Sequence, residues 1–249
     1  MTEKNKSDAL SIINKGVFEI ISSYSENALL INACFVAKDR YARLEGEMQL
    51  STTQNVPQQL RLDMEIEVVY RKNELVTKYG GDVLDVVFRN YIISNISIMD
   101  AILEDLYEHL LKVVNAAITD TELEKQIRNA WTNEAMLNFF VDAAGAGLTK
   151  PSTKTMEFAE AYMRYTELRI VRHTLLHSDS TLSAKNLKKL QDNFTVTPVA
   201  RRHFALFSSP MFDPTGKVNL SINHILAIRQ YLHRYLIYLR ESINEKVIR

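Results

Sequence analysis

Between Asp82 and about Ala117 the apolar residues Ile92, Ile96, Met99, Leu103, Leu106 and Leu110 recur every three or four positions. That spacing predicts one long core helix, because a 3.6-residue period brings all of them onto a single stripe. Seven glycines and five prolines in 249 residues leave few positions for tight turns, which favours a helical protein over a sandwich or barrel. At 46% apolar content the chain can bury a core, as one large domain or two small ones.

One segment departs from the helical period. Leu60 to Val68 alternates apolar and charged residues strictly, and Ala42 to Leu50 nearly does so. Alternation of period two is the mark of half-buried strands. The polar stretch from Ser51 to Gln59, with Pro57, then predicts an antiparallel β-hairpin over about 42–70 with a loose loop. The leucines, methionines and glutamates there prefer helix intrinsically.

Further helices follow from capping and breaking residues. Asp120 or Thr121 is expected to cap a helix running through Trp131, Met136 and Phe140, to end near Gly145 and Gly147. Pro151, Ser152 and Thr153 are expected to start a third, carrying Phe158, Tyr162, Tyr165, Leu168 and Leu175 and stopping near Ser178. Ser183 to Phe194 reads as a short basic helix, Phe204 to Lys217 as an irregular connection, and Leu220 to about Val247 as a final long helix.

Lysine plus arginine equals aspartate plus glutamate, 30 of each, so the chain as a whole has no bulk attraction for a polyanion. Any such site must be local. From Ile96 to Gly145 nine acids face three bases, whereas from Ala146 to His203 ten bases face five acids. One cysteine, Cys34 in an apolar run, rules out an internal disulfide and fits a buried thiol in a reducing compartment. The first residues lack the apolar region of a signal peptide, and no stretch is expected to reach the ~18 uncharged residues that cross a bilayer. A cytoplasmic protein without a membrane partner is the expectation.

The basic half contains Arg172-His173-Thr174-Leu175-Leu176-His177. The helical neighbours of Arg172 are Leu168, Arg169, Leu175 and Leu176, so a permanent charge leaves a mostly apolar stripe and needs a partner or a purpose. A guanidinium grips phosphate oxygens in a bidentate fork, and an imidazole takes or gives a proton near neutral pH. Together they supply half of a metal-free ribonuclease mechanism: His177 acts on the 2′-hydroxyl and Arg172 stabilises charge building on the phosphate. Five residues along an ideal helix place the two about 140° and ~7.5 Å apart, so convergence needs unwinding near Ser178, a sweep of the long arginine side chain, or a second subunit. His173, four residues from His177, shares its face.

The stretch from Val171 to Asp179 resembles the signature of the HEPN superfamily, an arginine, a polar residue and then a histidine after four to six residues. Here the gap is four, with His173 in the polar position where asparagine is common. Ser94 to Leu106 is similar to the first core helix of that all-α bundle, and Leu220 to Val247 to its last, so the resemblance covers roughly Asp82 to Arg249. It implies a mainly α helical bundle over 81–249 that dimerises so that two motifs form one cleft, with metal-independent endoribonuclease activity and Arg172, His177 and His173 at the catalytic positions. It also implies a toxin or phage-defence setting, with RNA as substrate and an antitoxin or other regulatory protein as a possible partner. Residues 1–80 form an N-terminal α/β extension that the resemblance leaves unexplained.

Supporting residues come from neighbouring patterns. Asn95 is a polar group on the apolar face of the first core helix, and Asp100 flanks the same stripe, where it can pair with a basic motif residue. Lys185, Lys188 and Lys189 follow the motif and can hold RNA phosphates by charge. Two rival readings remain. His173 and His177 have the spacing of a two-histidine metal site, yet Thr174 stands where a zinc protease needs glutamate, and none of the six histidines has a glutamate three residues before it. No metal and no cofactor are therefore expected. The other reading is a non-catalytic helical interaction protein, which binds its partner through a strand edge or helix face.

Overall fold

Tyr91, Ile92, Ile96, Met99, Leu103 and Leu106 are all fully buried, so the apolar stripe read from the sequence is a core surface. It lies on α3 (Asp82–Val114). The computed structural model describes residues 2–46, 49–51, 57, 59, 69–177 and 179–246. The other elements are α1 (Glu3–Arg43), β1 (Gln49–Ser51), β2 (Val69–Arg71), α2 (Lys72–Gly80), α4 (Asp120–Arg128), α5 (Ala135–Val141), α6 (Phe158–His177), α7 (Ala184–Val196) and α8 (Ile222–Glu245). Short 3-10 turns cover Val199–Phe204 and Leu206–Ser208. The protein is mainly helical.

Packing divides the chain into Met1–Tyr24 with Tyr91–Arg249, and Ser25–Asn90. This differs from the expected division at 80/81, because the first turns of α1 belong with the bundle. Asn95 donates from Nδ2 to Ser23 Oγ at 2.9 Å, and His109 lies 2.8 Å from the carbonyl of Asn5. Gly16 of α1 lies against Ile102 of α3 so closely that a Cβ would fall 2.4 Å from Ile102 Cδ1. Ala9, Ile13 and Ile20 extend this contact face at helical spacing and are buried.

In the larger unit, α6 and α8 present Tyr165 and Tyr235, whose rings stack with centroids 5.7 Å apart. The Tyr231 hydroxyl donates to the carbonyl of Ala161 at 2.7 Å and that of Tyr238 to Met156 at 3.0 Å, so the aromatic seam also satisfies backbone acceptors. Burying each such ring contributes on the order of 2–3 kcal/mol. Ser183 caps α7 through the N–H of Asn186, and Ser221 caps α8 through that of His224.

The smaller unit holds Leu75, Leu84, Phe88, Ile31 and Cys34 buried. Tyr41 and Tyr79 stack at 5.6 Å, and the ammonium of Lys72 donates to the carbonyl of Leu44. Cys34 is a free thiol whose pKa burial pushes up.

Three expectations are corrected. The extended hairpin over about 42–70 is not supported: Ala42 and Arg43 end α1, following their helical propensity, and Leu60 to Val68 lies outside the described residues. What is described is a three-residue antiparallel pair, Gln49–Ser51 against Val69–Arg71. The single helix expected through Trp131 is two, α4 and α5, separated where Asn133 and Glu134 take left-handed φ of 50° and 59°. And two stretches, Glu3–Arg43 and Lys72–Val114, are long and apolar enough to cross a membrane by length and composition. In α1 the reason is that Glu26 is the one charged residue between Ile20 and Ala37. Core helices of soluble proteins meet the same test, and half of the second window is buried.

Candidate functional site

Tyr165, Arg169 and Arg172 stand four and three residues apart on α6, which aligns them on one face. All three meet Asp100 of α3. The Tyr165 hydroxyl donates to Asp100 Oδ1 at 2.6 Å, Arg169 Nε lies 2.8 Å from the same oxygen, and Arg172 Nη1 donates to Oδ2 at 3.4 Å. A carboxylate this buried, with a side chain 12% exposed, is matched here by two guanidinium groups and a phenol. The buried Nε atoms of Arg169 and Arg172 both lack an aligned hydrogen-bond partner among the described residues, and the 3.4 Å contact to Asp100 holds Arg172 the more loosely of the two. Burial and the Asp100 charge push the Tyr165 phenol well above its usual range, leaving it a neutral donor.

Arg169 is fixed on a second side. Its guanidinium carbon lies 3.5 Å from the centre of the Trp131 ring, and the indole N–H donates to Glu104 at 2.5 Å. Trp131 sits in the α4–α5 connection, beside the left-handed pair Asn133 and Glu134.

Arg172, His173, Lys185 and Lys189 line one cleft of about 1140 Å³ between α6, α7, the α4–α5 connection and the Val199–Phe204 turn. Lys185 and Lys189 share a face of α7, and no ion pair engages them among the described residues. Lys188 points elsewhere and pairs with Asp192 at 2.9 Å on the exposed side of the helix. Of the three acids on the cleft wall, Glu160 receives Arg201 at 2.9 and 2.8 Å and Glu157 receives Lys150 at 2.7 Å, while Glu134 is exposed at the α4–α5 connection. Beneath the floor, buried Arg164 donates to Glu167 at 2.9 Å and to Thr197 at 2.7 Å, tying α6 to the end of α7.

His177 is the last residue of α6, is exposed, and does not line this cleft. The helix runs unbroken from Arg172 to His177, and the break expected near Ser178 falls on a residue outside those described. His173 and His177 do meet, with ring centroids 4.9 Å apart. Asp179 and Ser180 then turn the chain with left-handed φ of 48° and 60°. Asn95 is fully buried and donates to Ser23 and to the Tyr91 carbonyl, so its amide secures α1 to α3 rather than serving the motif. Among the described residues no group of three His, Cys, Asp or Glu is placed to hold a metal ion.

Sequence reasoning passed over Arg169 and Trp131. The spacing of Arg169 from Arg172 was a usable signal, since both had to find a counter-charge on the same face. Trp131 carried none, because its contact with Arg169 crosses between distant segments. Compared with protein-family models, with curated proteins and with solved structures, the chain matches none.

Proposed function

We propose that the chain is a metal-independent endoribonuclease, a toxin or phage-defence effector, that works as a homodimer. Its support is one observation: Arg172, His173, Lys185 and Lys189 line a single cleft in which Asp100 anchors Arg172 without consuming it. Lys185 and Lys189 hold backbone phosphates by charge. A histidine removes the proton of a 2′-hydroxyl, the oxygen attacks the adjacent phosphorus, and the bond to the 5′-oxygen breaks as that oxygen takes a proton from solvent, giving a 2′,3′-cyclic phosphate and a 5′-hydroxyl end. Arg172 stabilises the charge on the phosphate oxygens in between. His177 stands off the Arg172 face within one chain, so the reading takes it from the second subunit, in a composite cleft. The cytoplasmic setting rests on the lone reduced cysteine, and an antitoxin or other regulatory partner belongs to the same proposal.

The test incubates purified protein with RNA in excess EDTA and compares wild type with Arg172→Ala, His173→Ala and His177→Ala. Chelator-resistant cleavage lost in the Arg172 and His177 variants is the expected result; cleavage abolished by EDTA would overturn it.

A second reading, a non-catalytic interaction protein, draws on the outer face of α1, where Leu29 is 70%, Val36 58% and Leu30 54% exposed. Inability of well-folded protein to cut any RNA, combined with a partner lost on Leu29→Glu, would favour it.

A further inference from the structure

The chain has a single tryptophan, and it stands on the cleft wall. Its position is strongly constrained. The amide of Thr132 bonds the Asn129 carbonyl at 2.8 Å, that of Ala135 bonds Thr132 at 3.0 Å, and that of Met136 bonds Ala130 at 2.9 Å. Between them Asn133 and Glu134 hold left-handed backbone, a conformation that costs energy at residues bearing a side chain and persists only where the surroundings enforce it. The indole N–H is fixed by Glu104.

On this ring lies the Arg169 guanidinium, its carbon 3.5 Å from the ring centre and its Nε 2.8 Å from Asp100. The guanidinium therefore rests on the indole ring with Asp100 as its ion-pair partner, while its buried Nε makes no aligned hydrogen bond among the described residues. The side chain keeps 27% of its surface exposed and lines the cleft alongside Arg172, Lys185 and Lys189. A weakly hydrated, planar cation resting on an indole ring, beside ammonium groups that no ion pair engages among the described residues, combines the two elements of single-stranded nucleic-acid binding, a stacking platform and a cationic track.

We propose that the cleft contains a nucleobase subsite, in which an unpaired base stacks on the Arg169 guanidinium on the side away from Trp131 while Arg172, Lys185 and Lys189 hold the flanking phosphates. The choice of ligand rests on the ribonuclease reading, but the subsite is separable from cleavage. The exposed amide of Asn133, on the same wall, is placed to meet a base edge.

Trp131 is its own reporter. Intrinsic fluorescence is titrated with a 2′-O-methyl RNA tetranucleotide, which cannot undergo 2′-hydroxyl attack, with an abasic oligomer of equal length and charge, with adenosine monophosphate, and with tripolyphosphate. The base-containing oligomer is expected to change the emission and to bind about ten-fold more tightly than the abasic one. Arg169→Lys keeps a cation near Asp100 but loses the plane, and is expected to remove most of that difference while the circular dichroism stays unchanged. Because the wild-type comparison needs no variant, misfolding of Arg169→Lys does not blunt the test. Equal binding of the abasic oligomer, or of tripolyphosphate, overturns the subsite. Monophosphate binding as tight as the oligomer supports the subsite and identifies a free nucleotide as its occupant. Base-dependent binding without RNA cleavage would sink the ribonuclease reading and leave the subsite standing; base-independent binding with cleavage intact would do the reverse.

Discussion

Arg172 reaches the carboxylate of Asp100 at 3.4 Å, more loosely than the 2.8 Å at which Arg169 meets the same group. Arg169 is thereby held in place with one face left to the cleft, and Arg172 is oriented but still able to bind phosphate. The division follows from position on α6, since Arg169 also has the Trp131 ring beneath it and Arg172 faces the cleft.

Asp100→Asn keeps an acceptor for the Tyr165 hydroxyl and removes the counter-charge of both arginines. Breaking a buried pair costs ~3–5 kcal/mol, and the partial exposure of the arginines reduces the expected loss to about 2 kcal/mol. Urea denaturation measures it; a change under ~0.5 kcal/mol would show that the cluster contributes little to the fold.

If the cleft is composite, inactive Arg172→Ala and His177→Ala chains complement each other. A mixed dimer keeps one intact Arg172–His177 pair across the subunit boundary, so equal mixing after subunit exchange restores about a quarter of wild-type cleavage. No recovery, with exchange demonstrated by mass spectrometry, would place both residues of the pair in one chain.

The three lysines after the motif are expected to behave differently. Lys185→Ala and Lys189→Ala each lower RNA affinity and reduce the slope of log affinity against log salt by roughly 0.7, the value for one single-strand phosphate contact. Lys188→Ala, already paired with Asp192 outside the cleft, leaves the slope near its wild-type value. Equal effects at all three would mean diffuse attraction with no phosphate track.

His224, next to the α8 cap, has its pKa held below the usual histidine value by burial. The unfolded chain then binds this proton more readily than the folded one, so its contribution to stability is complete above about pH 6.5 and is lost as pH falls through the lower folded value. Thermal melts of wild type and His224→Asn between pH 7 and 4.5 test this, with a shallower acid decline expected in the variant. Parallel curves would rule out His224 as the source.

Much of the architecture was readable from local pattern. The stripe from Ile92 to Leu110 is buried as its spacing required, and α7 begins at its Ser183 cap. Legibility failed where local preference and context disagreed. The turn between α4 and α5 has no glycine to announce it, because Asn133 and Glu134 are forced into left-handed backbone by the bonds around them. The helix Glu3–Arg43 carries a usable signal, the absence of proline throughout its length.

In the site the same boundary holds. Periodicity alone puts Arg172 and His177 on different faces of a helix and His173 with His177, because helix geometry is local and obeys its 3.6-residue turn whatever surrounds it. From its place beside the apolar stripe Asp100 is already a candidate partner for a basic motif residue, and it meets Arg169 and Arg172; that Trp131 supports Arg169 beside Lys185 and Lys189 comes only from the packed chain. A guanidinium leaving an apolar face needs a counter-charge, which local pattern can suggest, but which ring packs against it depends on segments far apart in the chain.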